Sequence, residues 1–457
     1  MTDAGLRELS RPDCGLKALT SLSISAAGVT DAGIKALASP DCGLKALTSL
    51  NLSGTGVTDA GIKALASPDC GLKALRSLTL PAGTSRVTHS GMRELARPDT
   101  GLRALTELSL HLDSVPEADL LALLKDLARP DCGLAALTSL DLSRTKVTDA
   151  GIEALAGPDC GLKSLASLDL GNTRLTDASL RALARPDTGL KVLTSLYLSS
   201  TSVSDEGLKA LASPDCGLKA LTSLDLSNIF GRSKTHEVTD EGLRELARPD
   251  TGIRALTSLN LQGAKVGDAG IKALASADGG LKALVSLDLT STQLSDDGLM
   301  ALARPNSGLA ALTILRVSFT NVGDVGVAWL ARPDCGLGGL TSLDLSGTHV
   351  TDLGLHALSR AASGLKSLTS LRVGYTKTIT DDGLKYLAHP DSGLIGLTSL
   401  DLARTQITDD GLQELARPDS GLRSLRVLCV DGSRATELGK EAVWRAHPKV
   451  RFVKFFH

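Results

Sequence analysis

The stretch Val29–Leu50 reads VTDAGIKALASPDCGLKALTSL, and Val57–Leu78 repeats it with the single change of Thr48 to Arg76. The same phrase returns along the whole chain, in most cases after 28 residues, as between Leu50 and Leu78. The leucines that close successive copies are Leu22, Leu50, Leu78, Leu108, Leu140, Leu168, Leu196, Leu224, Leu259, Leu287, Leu315, Leu343, Leu371, Leu400 and Leu428. A fixed period of about 20–50 residues is typical of stacked supersecondary units. The sequence therefore predicts one continuous solenoid.

Each repeat has the pattern of a strand followed by a short helix. Leucines alternate with polar residues from Ser49 to Ser53, which is typical of a strand with one buried face. Thr58 is a good N-cap, Asp59 favours the positive end of a helix, and Pro68 disfavours helical geometry just before it. We therefore expect an α/β solenoid, shaped as a horseshoe or a superhelical arc. It should carry a parallel sheet of about 15 strands on its concave face and short helices on its convex face.

The pattern LxxLxLxxTxV…G(I/L)xxLA…PDCGL resembles leucine-rich repeats of the ribonuclease-inhibitor subtype, over essentially the whole chain. Its TDAGL element is similar to F-box-associated and bacterial leucine-rich repeats, and PDCGLKAL is similar to the sensor repeats of nucleotide-binding immune receptors. The resemblance implies a leucine-rich repeat fold with a binding role. Those families often place Asn or Cys at a position where this chain has Thr55, Thr145, Thr173, Thr201, Thr292, Thr320, Thr348 and Thr405.

The two ends of the chain depart from the repeat. Thr2–Gly5 matches Thr30–Gly33, so the strand that should precede it is absent, and we expect either a longer parent chain or an exposed N-terminal edge. Such an edge would allow a homodimer. The last fourteen residues contain four of the ten aromatic residues, which predicts a closing cap. We therefore divide the chain into a solenoid at 1–430 and a C-terminal cap at 431–457.

Composition argues against several classes of partner. Lys plus Arg total 49 and Asp plus Glu total 51, so the net charge of -2 gives no attraction to nucleic acid or to an anionic membrane. No apolar stretch approaches the 18 residues of a membrane span, and the first residues lack a signal-peptide core. A cytoplasmic location is expected.

The cysteines share one place in the repeat. At that place other repeats carry Thr or Ser, which indicates a small packed side chain that makes a weak hydrogen bond. There is no CxxC pair to bind zinc, and we expect eight free thiols. The third position of the PDCG element is held by Cys14, Cys42, Cys70, Cys132, Cys160, Cys216 and Cys335.

The sequence contains no catalytic signature. HExxH, GxxxxGK[ST] and GxSxG are absent, and carboxylate pairs such as Asp381–Asp382 begin predicted helices, where the helix dipole explains them. Calcium binding by the acidic residues would lack a ligand loop. We therefore predict no enzyme, no cofactor and no metal.

Two repeats are longer than the rest. One holds four extra residues within 116–130, which predicts a helix longer by about one turn. The other holds seven extra residues within 228–238, in a predicted loop that is either a binding element or a tolerated insertion. That loop carries Phe230, Arg232, Lys234 and His236.

The residues between the strand leucines should point away from the core, into the concave face. Tyr197 continues an acidic patch formed by Asp141, Asp169 and Asp225. Further along, the charges alternate, which favours either a self-neutralising ladder or a docking strip. The alternating residues are Asp288, Arg316, Asp344, Arg372 and Asp401.

Two aromatic residues favour docking there. Phe319 and Tyr375 occupy the place of Gly54, just beyond the strand and near Arg316 and Arg372. Because arginine and aromatic residues dominate interface hot spots, we predict these four as the main partner-binding anchors. Buried loop anchors are the alternative for the two rings. Trp329 and Tyr386, on the predicted outer helices, define a competing surface.

Three functions fit these features. The first is a non-catalytic scaffold that binds a protein partner on its concave face. The second is a structural or self-associating protein that pairs through its N-terminal edge. The third is a regulator that occludes a GTPase or a nuclease.

Overall fold

The computed structural model describes residues 1–25, 28–81, 87–110, 115–228 and 237–454. The predicted loop residues Phe230, Arg232, Lys234 and His236 lie outside these ranges. The described chain forms two compact units, the first ending at Asp225 and the second beginning at Leu226. The division at residue 430 between a solenoid and a cap stays a prediction.

Helices and strands alternate strictly in the described part of the first unit. Each strand pairs in parallel with the next, and the central leucines stand opposite one another, as Leu22 does with Leu50. The elements are α1 Asp3–Ser10, β1 Ser21–Ser23, α2 Asp31–Leu37, β2 Ser49–Asn51, α3 Asp59–Ala66, β3 Ser77–Thr79, α4 His89–Ala96, β4 Glu107–Ser109, α5 Glu117–Ala128, β5 Ser139–Asp141, α6 Asp149–Leu155, β6 Ser167–Asp169, α7 Asp177–Leu183, β7 Ser195–Tyr197, α8 Asp205–Ala212 and β8 Ser223–Asp225.

The described part of the second unit follows the same plan. Its last strand, β16, lies in the predicted cap and pairs with β15, so the described chain has 16 strands where the sequence predicted about 15. The predicted leucine-rich repeat solenoid, with a parallel sheet and short helices, is confirmed. The elements are α9 Asp240–Leu246, β9 Ser258–Asn260, α10 Asp268–Leu274, β10 Ser286–Asp288, α11 Asp296–Ala303, β11 Ile314–Arg316, α12 Asp324–Leu330, β12 Ser342–Asp344, α13 Asp352–Ser359, β13 Ser370–Arg372, α14 Asp381–Ala388, β14 Ser399–Asp401, α15 Asp409–Leu415, β15 Val427–Cys429, α16 Glu437–Ala446 and β16 Arg451–Phe452.

The core lies between the sheet and the helices. Leu50 of β2 and Leu65 of α3 are fully buried, and the residues that flank Leu50 are partly exposed. We call the side of the sheet that carries these flanking residues the open face, and the outer surface of the helices the helix face. Period-two and helical spacing in the sequence therefore gave the correct inward register.

The predicted helix signals hold in the structure. The Thr58 hydroxyl accepts a hydrogen bond from the Ala60 N–H at 3.4 Å, and α3 ends at Ala66, two residues before Pro68. The four-residue insertion lengthens α5 to 12 residues, compared with 8 in α3. The predicted longer helix is confirmed.

The aspartate that begins most of the described helices also bonds to the next repeat. Asp31 Oδ1 accepts the backbone N–H of Thr58 at 2.8 Å and that of Gly61 at 2.9 Å, and Asp31 Oδ2 accepts the Thr58 hydroxyl at 2.6 Å. Hydrogen bonds to a charged group contribute about 1.5–3 kcal/mol. A side chain at Gly61 would place its Cβ only 2.7 Å from Asp31 Oδ1, which explains the glycine. We call this arrangement the inter-repeat staple.

The staple recurs in both units. Donation by Thr30 lowers the pKa of the Asp3 carboxyl, and donation by Thr436 lowers that of Asp409. A backbone N–H at the start of one helix reaches the aspartate of the preceding helix in the pairs Thr30–Asp3, Thr58–Asp31, Thr88–Asp59, Thr176–Asp149, Ser204–Asp177, Gly267–Asp240, Ser295–Asp268, Gly323–Asp296, Thr351–Asp324, Thr380–Asp352, Thr408–Asp381 and Thr436–Asp409.

The staple is replaced around α5. Helix α4 begins with His89, where α3 has Asp59, and His89 Nε2 lies 2.9 Å from Asp126 Oδ2 of α5. A Cβ at Gly151 would lie 2.5 Å from Leu124 Cδ1 of α5, whereas at Gly33 the nearest atom is Asp3 Oδ1. Thr148, the N-cap of α6, makes no side-chain capping bond. The longer helix therefore replaces the polar junction with an apolar one.

The cysteine position supplies a turn acceptor, as the sequence predicted. Cys42 Sγ accepts the Leu44 N–H at 3.5 Å, and Thr100 Oγ1 accepts the Leu102 N–H at 3.3 Å in the equivalent turn. Burial raises the pKa of the Cys42 thiol. All eight cysteines lie within the described residues, and none of them forms a disulfide.

The threonines that replace the Asn or Cys of related repeats bond to their own turn. Thr55 Oγ1 donates to the Leu52 carbonyl oxygen at 2.7 Å, and Thr320 Oγ1 donates to that of Val317 at 2.6 Å. Both threonines are buried, so these hydrogen bonds satisfy groups that water does not reach. At this position a threonine hydroxyl group therefore stabilises the turn.

Replacing Leu343 by alanine should lower the free energy of unfolding by about 2–5 kcal/mol, because its side chain is fully buried and the change leaves a cavity. Urea denaturation followed by far-UV circular dichroism measures the change. Leu353, whose side chain is 67% exposed on α13, is the matched control and should change stability by no more than about 0.5 kcal/mol. Equal effects of the two substitutions would contradict the inward register.

Gly323→Thr should complete a staple. Gly323 has an extended backbone, donates its N–H to Asp296 Oδ1 at 2.7 Å, and would place a Cβ at an acceptable 3.4 Å from Asp296 Oδ2. We expect a gain of about 0.5–1.5 kcal/mol from the added hydroxyl bond and the lower entropy of the unfolded chain.

Gly323→Val is the isosteric control for that substitution, since valine has the branched side chain but no hydroxyl. Threonine should stabilise the protein more than valine in the same urea experiment. Equal stabilities of the two variants would show that the hydroxyl contributes nothing to the staple.

Candidate functional site on the open face of the second unit

The aspartates of the open face hold the ends of their own strands. Asp288 Oδ1 accepts the Thr290 N–H at 3.0 Å, and Asp344 Oδ1 accepts the Ser346 N–H at 2.9 Å. An aspartate that bonds to the backbone two residues further on forms a local turn. These carboxylates are therefore fixed in place by the fold before any partner arrives.

The predicted alternating charges stand side by side in the sheet. Asp288 pairs in register with Arg316, and Asp344 pairs with Arg372. Arg316 Nη1 lies 3.7 Å from Asp288 Oδ2, and Arg372 Nη1 lies 3.8 Å from Asp344 Oδ2. Ion pairs with one partly exposed member contribute little to stability. Their effect is to hold the two predicted arginines in a fixed register along the open face.

Phe319 and Tyr375 lie in turns where the backbone is left-handed. Their φ angles are 55° and 58°, and Gly54 and Gly347 hold the same place with φ of 74° and 64°. This conformation costs a residue other than glycine about 1–2 kcal/mol. It is held in place because the Phe319 N–H donates to the Ser346 carbonyl oxygen of the next repeat at 2.8 Å.

The two rings meet across an intervening glycine. Their centroids are 5.9 Å apart and the ring planes are inclined by 65°, an edge-to-face contact. Residues two repeats apart in a sheet would otherwise lie about 9.6 Å from each other. Gly347 makes the contact possible, since a Cβ there would come within 2.5 Å of the Phe319 ring.

Arg404 extends this group by one repeat. Its φ of 54° places it in the same turn position, and its guanidinium carbon lies 5.0 Å from the centroid of the Tyr375 ring. This distance lies within the range of a cation–π interaction. We call Phe319, Tyr375 and Arg404 the aromatic rim. Phe319 is 46% exposed, so the alternative of a buried loop anchor does not apply to it.

The structure adds an arginine to the predicted site. Arg316 and Arg372, which the sequence placed near the two rings, each have an aspartate neighbour, and Arg404 lies at Tyr375. Arg404 was missed because only the aromatic residues were considered at the position of Gly54. Alignment of that one position across the repeats would have found it.

Tyr197 belongs to the first unit, whereas the residues of the aromatic rim belong to the second. It is half-buried in β7 and stands in register between Asp169 of β6 and Asp225 of β8. The predicted juxtaposition of Asp141 with Asp169 is also present. The acidic patch is therefore a real neighbourhood of carboxylates, but it lies outside the aromatic rim.

The competing aromatic residues lie on the helix face, as predicted. Trp329 of α12 packs against the Arg332 guanidinium, whose central carbon is 4.3 Å from the ring centroid. Tyr386 of α14 contacts His356 of α13, with ring centroids 4.5 Å apart. Each therefore already has a neighbouring side chain on its ring.

Other site chemistry is not evident in the described ranges. No three His, Cys, Asp or Glu side chains within them converge as metal ligands would. None of the described helices is long and apolar enough to cross a membrane.

Gly347→Ala should destabilise the protein and separate the two rings. The left-handed backbone strains any alanine by about 1 kcal/mol, and here the new methyl group also meets Phe319. Gly54→Ala is the matched control, because Gly54 has a φ of 74° but its Cβ would meet nothing closer than 3.9 Å. Urea denaturation should show the larger loss for Gly347→Ala. Equal losses would mean that the ring contact does not form.

Sequence comparison identifies the repeat. Nine segments match the family described as Leucine Rich repeat, namely residues 17–38, 45–66, 135–156, 189–212, 254–275, 279–303, 340–359, 364–388 and 397–416. No curated protein is significantly similar to the chain.

Several solved structures are similar to this one. An internalin of Listeria monocytogenes is 23% identical, with a TM-score of 0.44 over 71% of this chain and 82% of its own. A leucine-rich repeat protein of Leptospira interrogans is 19% identical, with a TM-score of 0.48 over 99% and 98%. TLR13, in its complex with ssRNA13, is 19% identical, with a TM-score of 0.50 over 95% and 62%. The nine matched segments are leucine-rich repeats, and the fold described above is that of a leucine-rich repeat solenoid.

Proposed function

We propose that this chain is a non-catalytic scaffold that binds a protein partner on the open face of its second unit, with the aromatic rim as the anchor. Leucine-rich repeat proteins generally act as protein-interaction scaffolds, and solenoids present extended surfaces for this purpose. The role of this particular surface rests on its own residues.

One observation carries the proposal. Phe319 and Tyr375 occupy a left-handed turn position that favours glycine, and Phe319 remains 46% exposed there. The left-handed backbone costs about 1–2 kcal/mol at each bulky residue, and in the isolated protein this cost is not offset by burying the ring in the core. The same left-handed conformation occurs at Arg144, Asn172, Ser200, Ser291 and Arg404, so the exposed rings, and not the strain alone, distinguish this surface. Large, rigid rings beside an arginine are the residues that contribute most to binding energy in interfaces.

The charged strip beside the rim supports the same surface. Arg316 and Arg372 are held by Asp288 and Asp344 on the open face, so their order along the sheet is fixed. Fixed charges of alternating sign orient a partner and reject mismatched ones more than they add to affinity. We therefore propose that the aromatic rim supplies most of the binding energy, and that the alternating charges of Asp288, Arg316, Asp344 and Arg372 set the orientation of the partner.

Two further parts of the proposal concern subtype and location. The repeat of 28 residues with a helix in every unit supports a ribonuclease-inhibitor-like subtype. Eight free cysteines support a reducing compartment, and thus a cytoplasmic location. The net charge of -2 favours a protein partner over nucleic acid or a membrane surface.

The aromatic rim is tested by a triple variant of the full chain, Phe319→Ala, Tyr375→Ala and Arg404→Ala. Proteins captured from the native lysate by the wild type are identified, and their dissociation constants are then measured with each purified variant. Loss of hot-spot residues costs at least about 2 kcal/mol, so we expect the Kd to rise about 30-fold or more.

The matched control alters the same turn position in the first unit. Arg144, Asn172 and Ser200 also have positive φ angles, so Arg144→Ala, Asn172→Ala and Ser200→Ala impose a comparable backbone change. This control should bind the partner as the wild type does. Unchanged binding by the folded rim variant would contradict the proposal. A particle mass that doubles with concentration in light scattering, with no other protein captured, would favour self-association instead.

A further inference from the structure

An arginine follows the C-terminal end of many helices, and in most of these cases it forms an ion pair with a nearby aspartate. The arginine lies one or two residues after the last residue of the helix, and the aspartate comes two residues later. The closest nitrogen–oxygen distances range from 2.7 to 3.4 Å. The pairing is local, because both residues belong to the same turn. It occurs in Arg11–Asp13, Arg97–Asp99, Arg129–Asp131, Arg185–Asp187, Arg248–Asp250, Arg332–Asp334 and Arg417–Asp419.

Helix α13 keeps the arginine and lacks the aspartate. Its end reads Arg360–Ala361–Ala362, so an alanine stands where seven other repeats have the carboxylate. Within the described ranges no carboxylate forms an ion pair with Arg360, which is exposed. The guanidinium group therefore presents to solvent the edge that its counterparts use to bind a carboxylate. Those counterparts show that this edge binds a carboxylate in the fork geometry preferred by arginine.

A cavity of about 450 Å³ lies beside this arginine, between the ends of α13 and α14. Its lining includes Arg360, Ala362, His356, Tyr386 and His389. The His356 and Tyr386 rings are in contact, with centroids 4.5 Å apart, and so present neighbouring planar apolar surfaces. The cavity is large enough for a carboxylic acid with one aromatic ring, since small-molecule pockets begin at about 300 Å³.

His389 adds a donor. It occupies the place of the arginine at the end of α14, and its Nδ1 accepts the Asp391 N–H at 3.2 Å. In the neutral imidazole an accepting Nδ1 leaves the hydrogen on Nε2, which is then a donor. The Asp391 carboxylate also lines the cavity and lies 3.9 Å from Nδ1. Together with the carbonyl ends of the two helices, it opposes a doubly charged ligand more than a singly charged one.

We propose that this cavity binds a carboxylate, which takes the place of the missing aspartate, with a planar group of the same ligand against Tyr386 and His356. The site is independent of the aromatic rim, because it lies on the helix face and uses none of the rim residues. A free aromatic acid and an acidic side chain of a protein segment share this chemistry. The experiment separates these two sources.

The probe is 4-fluorobenzoate, followed by ¹⁹F NMR line broadening with the full chain at constant ionic strength. Wild-type protein should give saturable broadening with a Kd on the order of 1 mM, a typical value for a ligand of this size. Arg360→Ala should raise the Kd at least about tenfold. Ala362→Asp restores the internal carboxylate and should have the same effect without lowering the Tm. Arg417→Ala removes an arginine that is already paired with Asp419, and it should leave the Kd unchanged.

Specificity and source are tested by other compounds. Neutral 4-fluorobenzamide should not broaden, and inorganic phosphate should displace the probe less well than acetate does. Displacement by a blocked Ala-Glu-Ala peptide at lower concentration than acetate would assign the site to an acidic protein segment. Displacement no better than acetate would assign it to a free aromatic acid. Equal broadening by the benzamide, or an unchanged Kd in Arg360→Ala, would overturn the proposal even if Ala362→Asp fails to fold.

Discussion

The hydrogen bonds from one helix start to the aspartate of the preceding repeat tie the stack together. Asp31 receives two backbone N–H groups and one hydroxyl from the next repeat, at 2.6 to 2.9 Å. A leucine core alone is non-directional, so it fixes burial better than it fixes the position of one repeat on another. The staple supplies direction, because a helix start has unsatisfied donors and the carboxylate lies where they point. The TDAG motif therefore has one structural role: the threonine donates hydrogen bonds to the aspartate of the preceding repeat, the aspartate accepts those of the next repeat, and the glycine leaves room for the aspartate side chain.

The irregular repeats show how far this device can be relaxed. Around α5 a histidine stands in place of the first aspartate, and Leu124 fills the space beside Gly151, yet strands β4 and β5 keep their register. Gly267 and Gly323 keep the backbone N–H bond to the preceding aspartate and lack the hydroxyl. In a solenoid each repeat depends chiefly on its immediate neighbours, so a local weakness is tolerated without loss of the fold.

The sequence predicted the local structure of each repeat but not the hydrogen bonds that join one repeat to the next. Strands, N-caps and buried leucines follow from spacings of two to four residues. These predictions were correct, for example for the N-cap Thr58 and the buried Leu343. The staple joins residues 27 apart, such as Asp31 and Thr58, and becomes visible only when two helix starts are placed side by side. Aspartate was therefore assigned to the helix dipole alone. The rim aromatic residues were found because aromatic residues are rare here, whereas Arg404 and the gap at Gly347 depend on contacts across repeats.

Both candidate sites lie where a repeat differs from its neighbours at an exposed position. At the rim, Phe319 and Tyr375 place large rings in a left-handed turn that neighbouring repeats fill with Ser291, Gly347 and Arg404. On the helix face, Ala362 replaces the aspartate that would have bound Arg360. In a chain of near-identical units the other repeats serve as internal references, and a departure that costs stability without filling the core requires another explanation. Binding provides one in both places, because an exposed ring pair and a guanidinium group with no internal carboxylate partner are each completed by contact with another molecule.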